Sequence, residues 1–388
     1  MARYVPRPSL SAAEIPFSRK LLWLNWPLTA LLAVVGGVGF LMLFSVAGGS
    51  LDPWARDQIV RFSLGFAVMI LVALIDLKFW RMIALPFYLI SLALLVVVEV
   101  AGVTGMGAQR WINLGVARLQ PSELMKIALV MVLALYYQNL PSNRISNPLF
   151  VLPPILLAVI PAALVAKQPD LGTALLLVGG AGVVMFVAGV SWWYFAAVIS
   201  AAGGAVYAVI LSRGTEWQLL KDYQFRRIET FLDPSQDPLG AGYHITQSTI
   251  AIGSGGLAGK GFMQGSQTHL SFLPEAHTDF IFTTLAEEFG FVGGAGLLGL
   301  YMLIICVATI GALRIRNTFG RLLAAGVAST FFFFFAINMA MVMGLAPVVG
   351  VPLPLVSYGG TSMLTLLFGF GLLMSAQIHA EPDLRDYR

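Results

Sequence analysis

The feature that most constrains this chain is a series of apolar runs, each about 20 residues long, which recur along nearly all of its 388 residues. A helix of about 20 residues is long enough to cross the ~30 Å hydrocarbon core of a bilayer. Only 11% of the residues are charged, against roughly a quarter in soluble domains. The sequence therefore predicts an all-α polytopic membrane protein.

Ten runs qualify as transmembrane helices, and the first is too long for the core of a cleavable signal peptide. Between spans seven and eight lies a large segment, 213–277, which we expect to be an extracytoplasmic loop. No part of the chain has the composition of a separate soluble domain, so we expect one membrane domain over residues 1–388. The predicted spans are 23–47, 57–77, 80–101, 122–139, 148–166, 171–189, 192–212, 278–311, 320–345 and 359–379.

The distribution of positive charge predicts the orientation of these spans. With a cytoplasmic N-terminus, 12 of the 23 Lys and Arg residues lie in cytoplasmic segments, six flank the short outer loops and five lie in 213–277. Cytoplasmic loops carry the excess of Lys and Arg, so we expect both termini in the cytoplasm and the unusual polar motifs on the outer face. The net charge of +4 includes no basic block of the kind that binds nucleic acid.

The motif QPSELMK opens the fourth span and places Glu123 and Lys126 on one helix face. One interpretation is a local ion pair beside a helix cap. The other is a functional pair, because charges in the first turn of a spanning helix are costly unless they are paired or hydrated. Just upstream, Arg110, Trp111 and Arg118 are suited to hold a phosphate and a sugar face, with anchoring at the membrane interface as the alternative.

Two further motifs fall on the predicted outer face. In KQPDLGT, Lys167 precedes Asp170, which is well placed as a helix N-cap and could still face a shared cavity. The Gly-rich stretch 253–261 lacks the Gly and the Ser or Thr that a P-loop requires. Its glycines would allow backbone N–H groups to approach an anion beside Lys260, and a flexible loop is the alternative.

The stretch PEAHTDFIF sets Glu275, His277 and Asp279 directly before an apolar run. If the first helical turn extends outward, Glu275 and Asp279 share a face and repel each other. Such a pair needs a cation, a proton or a metal ion, and crowding raises the pKa of a carboxyl toward the range useful for a base. The structural alternative is that Thr278 or Asp279 caps the helix.

The stretch PVVGVPLPLVSYGGTS, residues 347–362, interrupts the chain between the last two spans with prolines and glycines. This predicts a re-entrant or cavity-lining segment whose backbone is shielded from lipid. Ser357 within it is a candidate hydrogen-bond donor to a substrate. The sequence has neither a nucleophile elbow nor a His-rich metal set, which argues against a hydrolase or a metalloprotease.

Taken in order, six motifs resemble the SEDS family of shape, elongation, division and sporulation proteins over nearly the whole chain. These motifs are RWINLG, QPSELMK, KQPDLGT, LDPSQDPLGAGYHITQSTIAIGSGGLAGKG, FLPEAHTDFIF and PLPLVSYGG. The segments GYHITQ and GLAGKGFMQGSQTHLSFLPE look like the RodA branch of the family, which acts in cell elongation.

The resemblance implies a peptidoglycan glycosyltransferase of the bacterial inner membrane that polymerises lipid II, the undecaprenyl-diphosphate-linked disaccharide-pentapeptide, on the outer face. It also implies pairing with a class B penicillin-binding protein, a transpeptidase, within the elongation machinery. The family's essential Asp corresponds to Asp279, its Glu and Lys to Glu123 and Lys126, its Arg to Arg118 and its KQPD acid to Asp170. The other candidates for substrate binding are Arg110, Trp111, Lys167, Lys260, His277 and Ser357.

On this basis Asp279 is predicted to be the general base for the attacking sugar hydroxyl, with Lys126 and Arg118 stabilising the departing diphosphate. An α-linked donor and a β-1,4-linked product imply inversion by a single displacement. No tightly bound cofactor is expected, and a divalent cation, Mg or Mn, held by the acids is a further candidate. The alternatives are a lipid II flippase, which would place polar groups near the midplane, and a non-catalytic scaffold that recruits the transpeptidase.

Overall fold

The computed structural model describes residues 16–105, 108–113, 118–215, 218, 225, 241–270, 272 and 275–379. Within these ranges the chain forms thirteen α-helices, one short 3₁₀ turn and one small sheet. The helices are α1 (Phe17–Leu22), α2 (Trp26–Val46), α3 (Ala55–Leu74), α4 (Leu77–Ala101), α5 (Pro121–Gln138), α6 (Pro148–Lys167), α7 (Leu171–Ala188), α8 (Trp192–Ser212), α9 (Ala241–Ser254), α10 (Ser266–His269), α11 (Ile281–Leu313), α12 (Thr318–Val342) and α13 (Gly360–Ile378).

Each of the ten predicted spans corresponds to one helix, and every helix end lies within three residues of its predicted position. Nine of these helices in the described ranges are long and apolar enough to cross a membrane. The tenth, α5, has 18 residues, most of them buried, and it packs against α4, α6, α7, α12 and α13. The predicted helical membrane fold is confirmed, and α5 is its central helix.

The connection between α4 and α5, predicted as a loop, is a three-stranded antiparallel sheet. Its strands are β1 (Val103–Gly105), β2 (Ala108–Asn113) and β3 (Arg118–Leu119). Trp111 of β2 lies opposite Val103, and Asn113 lies opposite Arg118. Strands of two to six residues are too short to show a clear alternation of polar and apolar side chains, so the sequence pattern did not reveal them.

Part of the segment 213–277 is helical and packed. α9 lies against α11 and α12, because the buried Ser248 hydroxyl is 2.8 Å from Thr283 Oγ1 and donates to the Val342 carbonyl at 2.9 Å. Residues 232–240, the turn-rich start of one family motif, lie outside the described residues. The membrane side of 213–277 stays a prediction.

Helix α11 is broken at Gly290, which has φ 64° and ψ −160°. The Gly-rich stretch docks on this break through four backbone hydrogen bonds of 2.9–3.2 Å. A Cβ on Gly259 would lie 2.1 Å from the Glu288 carbonyl oxygen, so a glycine is needed for this approach. The docked stretch replaces the hydrogen bonds that the break removes from the helix. The four bonds run from Phe291 to Gly256, from Val292 to Leu257, from Lys260 to Glu287 and from Gly261 to Glu288.

Helix α6 has three prolines in its interior, and each frees the carbonyl group four residues before it. Two of the freed carbonyls, those of Phe150 and Leu157, accept hydrogen bonds from tyrosine hydroxyls. Tyr136 of α5 donates to Phe150, and Tyr88 of α4 donates to Leu157, both at 2.8 Å. Neighbouring helices thus supply the donors that the prolines lack.

We expect Tyr88→Phe and Tyr136→Phe each to lower the free energy of unfolding by about 1–2 kcal/mol, because each leaves a backbone carbonyl without its donor. Tyr137→Phe is the matched control, since the Tyr137 hydroxyl is buried and has no hydrogen-bond partner in the described part of the chain. Thermal unfolding of the purified variants in detergent measures the effect. Equal losses in all three variants would contradict this assignment.

Candidate active site

The segment 346–358, which we call the re-entrant segment, connects α12 to α13 without forming a helix, and much of it is buried. Side chains from three helices donate hydrogen bonds to its carbonyl groups. The bonds run from Gln58 to Ser357, from Tyr301 to Pro354 and from Asn338 to Val351. The prediction of a segment shielded from lipid is therefore confirmed, because the protein itself supplies partners for the non-helical backbone.

Residues 275–280, which we call the acidic turn, lie directly against the re-entrant segment. Three successive carbonyl groups of this turn accept hydrogen bonds from it or from α12. The bonds run from the Tyr358 N–H to His277 at 2.9 Å, from the Ser357 hydroxyl to Thr278, and from the Asn338 amide to Asp279 at 2.9 Å. The backbone that carries Asp279 is thus held at three consecutive residues.

The prediction that Thr278 or Asp279 caps the following helix is wrong. Helix α11 begins at Ile281, and its N-cap residue is Phe280. No side chain there accepts a capping hydrogen bond from the first turn of the helix. Glu275 adopts φ 57° and reverses the chain, and the Thr278 N–H and hydroxyl both bond back to Glu275. The tight turn therefore separates Asp279 from the helix, and its carboxylate has no capping role.

The Asp279 carboxylate is half-buried, and none of the hydrogen bonds among the described residues involves its oxygens. It faces the re-entrant segment, since a Cβ on Gly350 would lie 3.7 Å from Asp279 Oδ2. Burial, assisted by the negative charge of Glu275, raises the pKa of Asp279 to about 6. A carboxylate with this pKa is ionised at neutral pH and more basic than an ordinary Asp, as a general base requires.

Glu123 and Lys126 form a buried ion pair, with 2.7 Å between Lys126 Nζ and Glu123 Oε1. The Lys126 ammonium also lies over the Phe334 ring, 4.0 Å from its centroid. Phe334 is one turn before Asn338 on α12, about 6 Å along that helix. The Glu123 Oε2 atom is buried and has no hydrogen-bond partner in the described part of the chain. Helix α12 thus contacts both regions, the Lys126 ammonium through Phe334 and the acidic turn through Asn338.

Asp170 caps α7, as predicted, by accepting a hydrogen bond from the Thr173 N–H at 3.1 Å. Its other oxygen accepts from the Gln120 amide at 3.3 Å, and Asp170 also interacts electrostatically with Lys126. A Cβ on the neighbouring Gly172 would lie 2.6 Å from the Val351 side chain. Asp170 therefore belongs to the same cluster, beside the re-entrant segment.

Arg110 holds the corner between α6 and α7. Its guanidinium donates to the Gln168 carbonyl at 3.1 Å and to the Pro169 carbonyl, and lies 3.9 Å from Asp170. These contacts tie the small sheet to the corner and orient Asp170. The structure thus gives Arg110 a positioning contact in place of a free guanidinium.

An aromatic wall adjoins the acidic turn. The His277 ring stacks on Trp54 with 4.4 Å between centroids, and the Tyr358 ring lies 6.1 Å from His277. Burial lowers the pKa of His277 although Glu275 opposes this effect, so the ring is neutral at neutral pH. The Arg61 guanidinium lies over the Tyr358 ring, 5.2 Å from its centroid. A flat ring face beside a cation is suited to a sugar and its phosphate.

Sequence analysis missed three residues of this region: Trp54, Arg61 and Asn338. A signal existed for Asn338, which is a polar side chain within the apolar run FFFFFAINMAMV, where such residues are costly. Trp54 and Arg61 resemble ordinary residues of a membrane interface, and only the packing of α3 against α13 brings them to the site.

Several predicted binding residues have other contacts. Lys167 is mostly exposed and pairs with Glu99 at 2.7 Å. Lys260 pairs with the fully buried Glu287 at 2.6 Å and also contacts Ser266. The Ser357 hydroxyl accepts from the Leu353 N–H while it donates to the acidic turn. Trp111 lies in β2, and the side chain of Arg118 lies outside the described part of the structure.

The candidate divalent cation finds no preformed cage here. Among the residues that the structure describes, no three His, Cys, Asp or Glu side chains come together as metal ligands would. The Mg or Mn ion stays a prediction.

We expect Lys260→Ala to lower the free energy of unfolding by about 3 kcal/mol, because it leaves the buried Glu287 carboxylate without its cation. Lys167→Ala is the control and should cost no more than about 1 kcal/mol, since its ion pair is exposed. Adding Glu287→Gln to Lys260→Ala should restore most of the loss. Thermal unfolding of the four proteins tests this, and a loss that persists in the double variant would refute it.

The chain is similar to known proteins in both sequence and fold. The family model for the cell cycle proteins FtsW, RodA and SpoVE matches residues 20–381. The peptidoglycan glycosyltransferase MrdB of Escherichia coli (strain K12) is 43% identical over 341 residues, which cover 87% of this chain and 89% of the relative. The probable peptidoglycan glycosyltransferase FtsW of Trichlorobacter lovleyi is 38% identical over 324 residues, 82% of each chain.

Two solved structures share the fold. A chain of a peptidoglycan synthase complex, described as coordinating polymerization and crosslinking, has a TM-score of 0.78 and 33% identity over 93% of this chain and 99% of its own. The rod shape determining protein RodA of Thermus thermophilus has a TM-score of 0.69 and 30% identity over 93% of this chain and 98% of its own. The chain belongs to the FtsW, RodA and SpoVE family of cell cycle proteins.

Proposed function

We propose that this chain is a peptidoglycan glycosyltransferase that polymerises lipid II into β-1,4 glycan strands during cell elongation. The observation that carries the proposal is the Asp279 carboxylate, whose backbone is held at three residues while its oxygens take part in no hydrogen bond in the described structure. The relatives named peptidoglycan glycosyltransferase support the activity, and the match to RodA supports its role in elongation.

In the proposed reaction Asp279 takes the proton of the attacking sugar hydroxyl. The hydroxyl oxygen forms a bond to the anomeric carbon of the donor, and the bond from that carbon to the diphosphate oxygen breaks. The electron pair leaves with the lipid diphosphate, and the proton stays on Asp279 until solvent removes it. Attack opposite the leaving group inverts an α-linkage to a β-linkage in one displacement, so one base suffices.

Lys126 stabilises the diphosphate as its charge develops. A buried ammonium acts in a medium of low dielectric, where a fixed charge contributes more than it would in water. Glu123 accepts a hydrogen bond from one of the three N–H groups of the Lys126 ammonium and so orients the Lys126 side chain. Arg118 is the second cation by resemblance to the family, while Arg110 and Asp170 position the corner beside it.

The protein is an integral protein of the bacterial inner membrane, and we propose that both termini are cytoplasmic and that the active site faces outward. The site lies where α5, α7 and α11 begin, and these helices are spans four, six and eight. Even-numbered spans begin on the side opposite the N-terminus. The excess of Lys and Arg on the N-terminal side supports this orientation.

The peptidoglycan synthase complex that shares this fold supports a transpeptidase partner, a class B penicillin-binding protein of the elongation machinery, for this chain. A lipid II flippase is the alternative. The described polar groups of the site gather at one end of α5, whereas a transport path would place them near the midplane. This arrangement favours the polymerase.

Asp279→Asn should abolish glycan polymerisation, with a loss of about 10²–10⁴-fold, because it removes the base. The assay uses labelled lipid II and the class B partner with its transpeptidase blocked, and Asp52→Asn is the acidic control. Folding raises the pKa of Asp279 to about 6, so the folded protein favours the protonated carboxyl. The stabilisation from this group is therefore present in acid and is lost as pH rises through about 6. Removing the charge should therefore not unfold the protein at neutral pH.

Glycan ladders from a folded Asp279→Asn variant would remove Asp279 from the role of base. If neither variant nor wild type makes ladders while wild type moves lipid II across liposomes, the flippase is favoured.

The rate of polymerisation should fall as pH drops through about 6, because protonated Asp279 cannot act as the base. Glu275→Gln removes the neighbouring negative charge that helps to raise the pKa of Asp279. We therefore expect the acid limb of the pH–rate profile of this variant to shift to lower pH. Initial rates from about pH 5 to about pH 8 measure the shift, with Asp52→Asn as the control whose limb should match wild type. An unchanged limb in Glu275→Gln would show that Glu275 does not influence the base.

A further inference from the structure

A cavity of about 560 Å³ opens between α4, α5 and α6, far from the candidate active site. Its lining includes Leu85 of α4, Tyr136 near the end of α5 and Phe150 near the start of α6. Glu123 and Tyr136 are 13 residues apart on α5, about 20 Å along the helix. The volume lies within the range of about 300–1,000 Å³ that is usual for ligand sites. We call this cavity the apolar groove.

The wall of the apolar groove offers little to a polar ligand. Pro153 in the lining has no backbone N–H, and the Tyr136 hydroxyl is bonded to the Phe150 carbonyl. Most of the remaining lining is leucine, and Asn139 is the one further polar side chain among the described residues of the lining. A hydrocarbon chain fits this surface better than a sugar or a peptide.

Two arginines are close to lining residues of the apolar groove, Arg144 through the Phe150 ring and Arg81 through its place on α4, and we call this end of the groove the rim. Arg144 stands over the Phe150 ring at 5.4 Å from its centroid, and Phe150 lines the groove. Arg81 is one turn before Leu85 on α4, and residues four apart share a helix face. Among the described residues, neither guanidinium pairs with a carboxylate. Within the described part of the chain, the rim therefore carries positive charge that no carboxylate pairs with, beside an apolar cavity.

We propose that the apolar groove binds an anionic diacyl phospholipid, with an acyl chain between α4, α5 and α6 and the phosphate between Arg81 and Arg144. Guanidinium groups at a membrane surface attract anionic head groups. A polyprenyl tail that reached the groove from the active site would bring only an uncharged end to this rim. A phospholipid anchored at the rim satisfies both the charge and the hydrocarbon surface.

The test measures binding of phosphatidylglycerol and of phosphatidylethanolamine with the same acyl chains to the full-length protein in detergent, by native mass spectrometry. We expect wild type to prefer phosphatidylglycerol. The double variant Arg81→Gln/Arg144→Gln should bind it about 25-fold more weakly, about fivefold for each charge removed. The matched control Arg314→Gln/Arg316→Gln removes two exposed charges at the end of α11 and should retain wild-type binding.

A second variant, Leu85→Trp, fills the groove and keeps both rim charges. It should weaken phosphatidylglycerol binding without changing the folded protein, and it decides the question if the double variant does not fold. Equal binding by wild type and the rim variant, or equal loss in the Arg314/Arg316 control, would overturn the proposal in favour of unspecific surface lipid. Displacement of phosphatidylglycerol by an equimolar amount of undecaprenyl phosphate would overturn it in favour of a polyprenyl ligand.

Discussion

The side-chain amide of Asn338 bonds two carbonyl groups, those of Asp279 and Val351, and the candidate active site depends on this contact. It joins the acidic turn to the re-entrant segment and supplies a donor to one backbone carbonyl of each. The same requirement is met elsewhere by the tyrosines that bond the freed carbonyls of α6 and by the Gly-rich stretch that docks on the break in α11. At each of these places in the described structure, a neighbouring element supplies hydrogen bonds that the helix itself lacks.

Hydrogen bonds to the backbone, and none to the carboxylate in the described structure, leave Asp279 available for chemistry. The backbone of the acidic turn is held through its carbonyl groups, so the carboxylate is positioned without being bonded itself. Two of the three Lys–Glu pairs in the described structure have a buried carboxylate. In one, Glu287 accepts hydrogen bonds from Lys260, Ser266 and a backbone N–H and holds a loop in place. In the other, Glu123 accepts from Lys126 alone among the described residues, and in both pairs one carboxylate oxygen has no partner there.

Helix α5 connects two different surfaces. Its first turn carries Glu123 and Lys126 in the polar cluster, and its last turns form part of the apolar groove. The helix between them is buried by apolar neighbours, so no polar path joins its two ends in the described structure. A polymerase that keeps its sugar chemistry on one face of the membrane needs such a separation, whereas a transporter would not tolerate it.

The sequence by itself determined the ten spans and the cap at Asp170, because the length of an apolar run and a helix N-cap are properties of neighbouring residues. It also determined the family, through motifs that lie in order along the chain. Only the tertiary structure decided that Asp279 is not a cap, that Lys260 pairs with Glu287, and that Trp54 stacks on His277. These features depend on contacts between residues far apart in the chain, and no local pattern of residues encodes them.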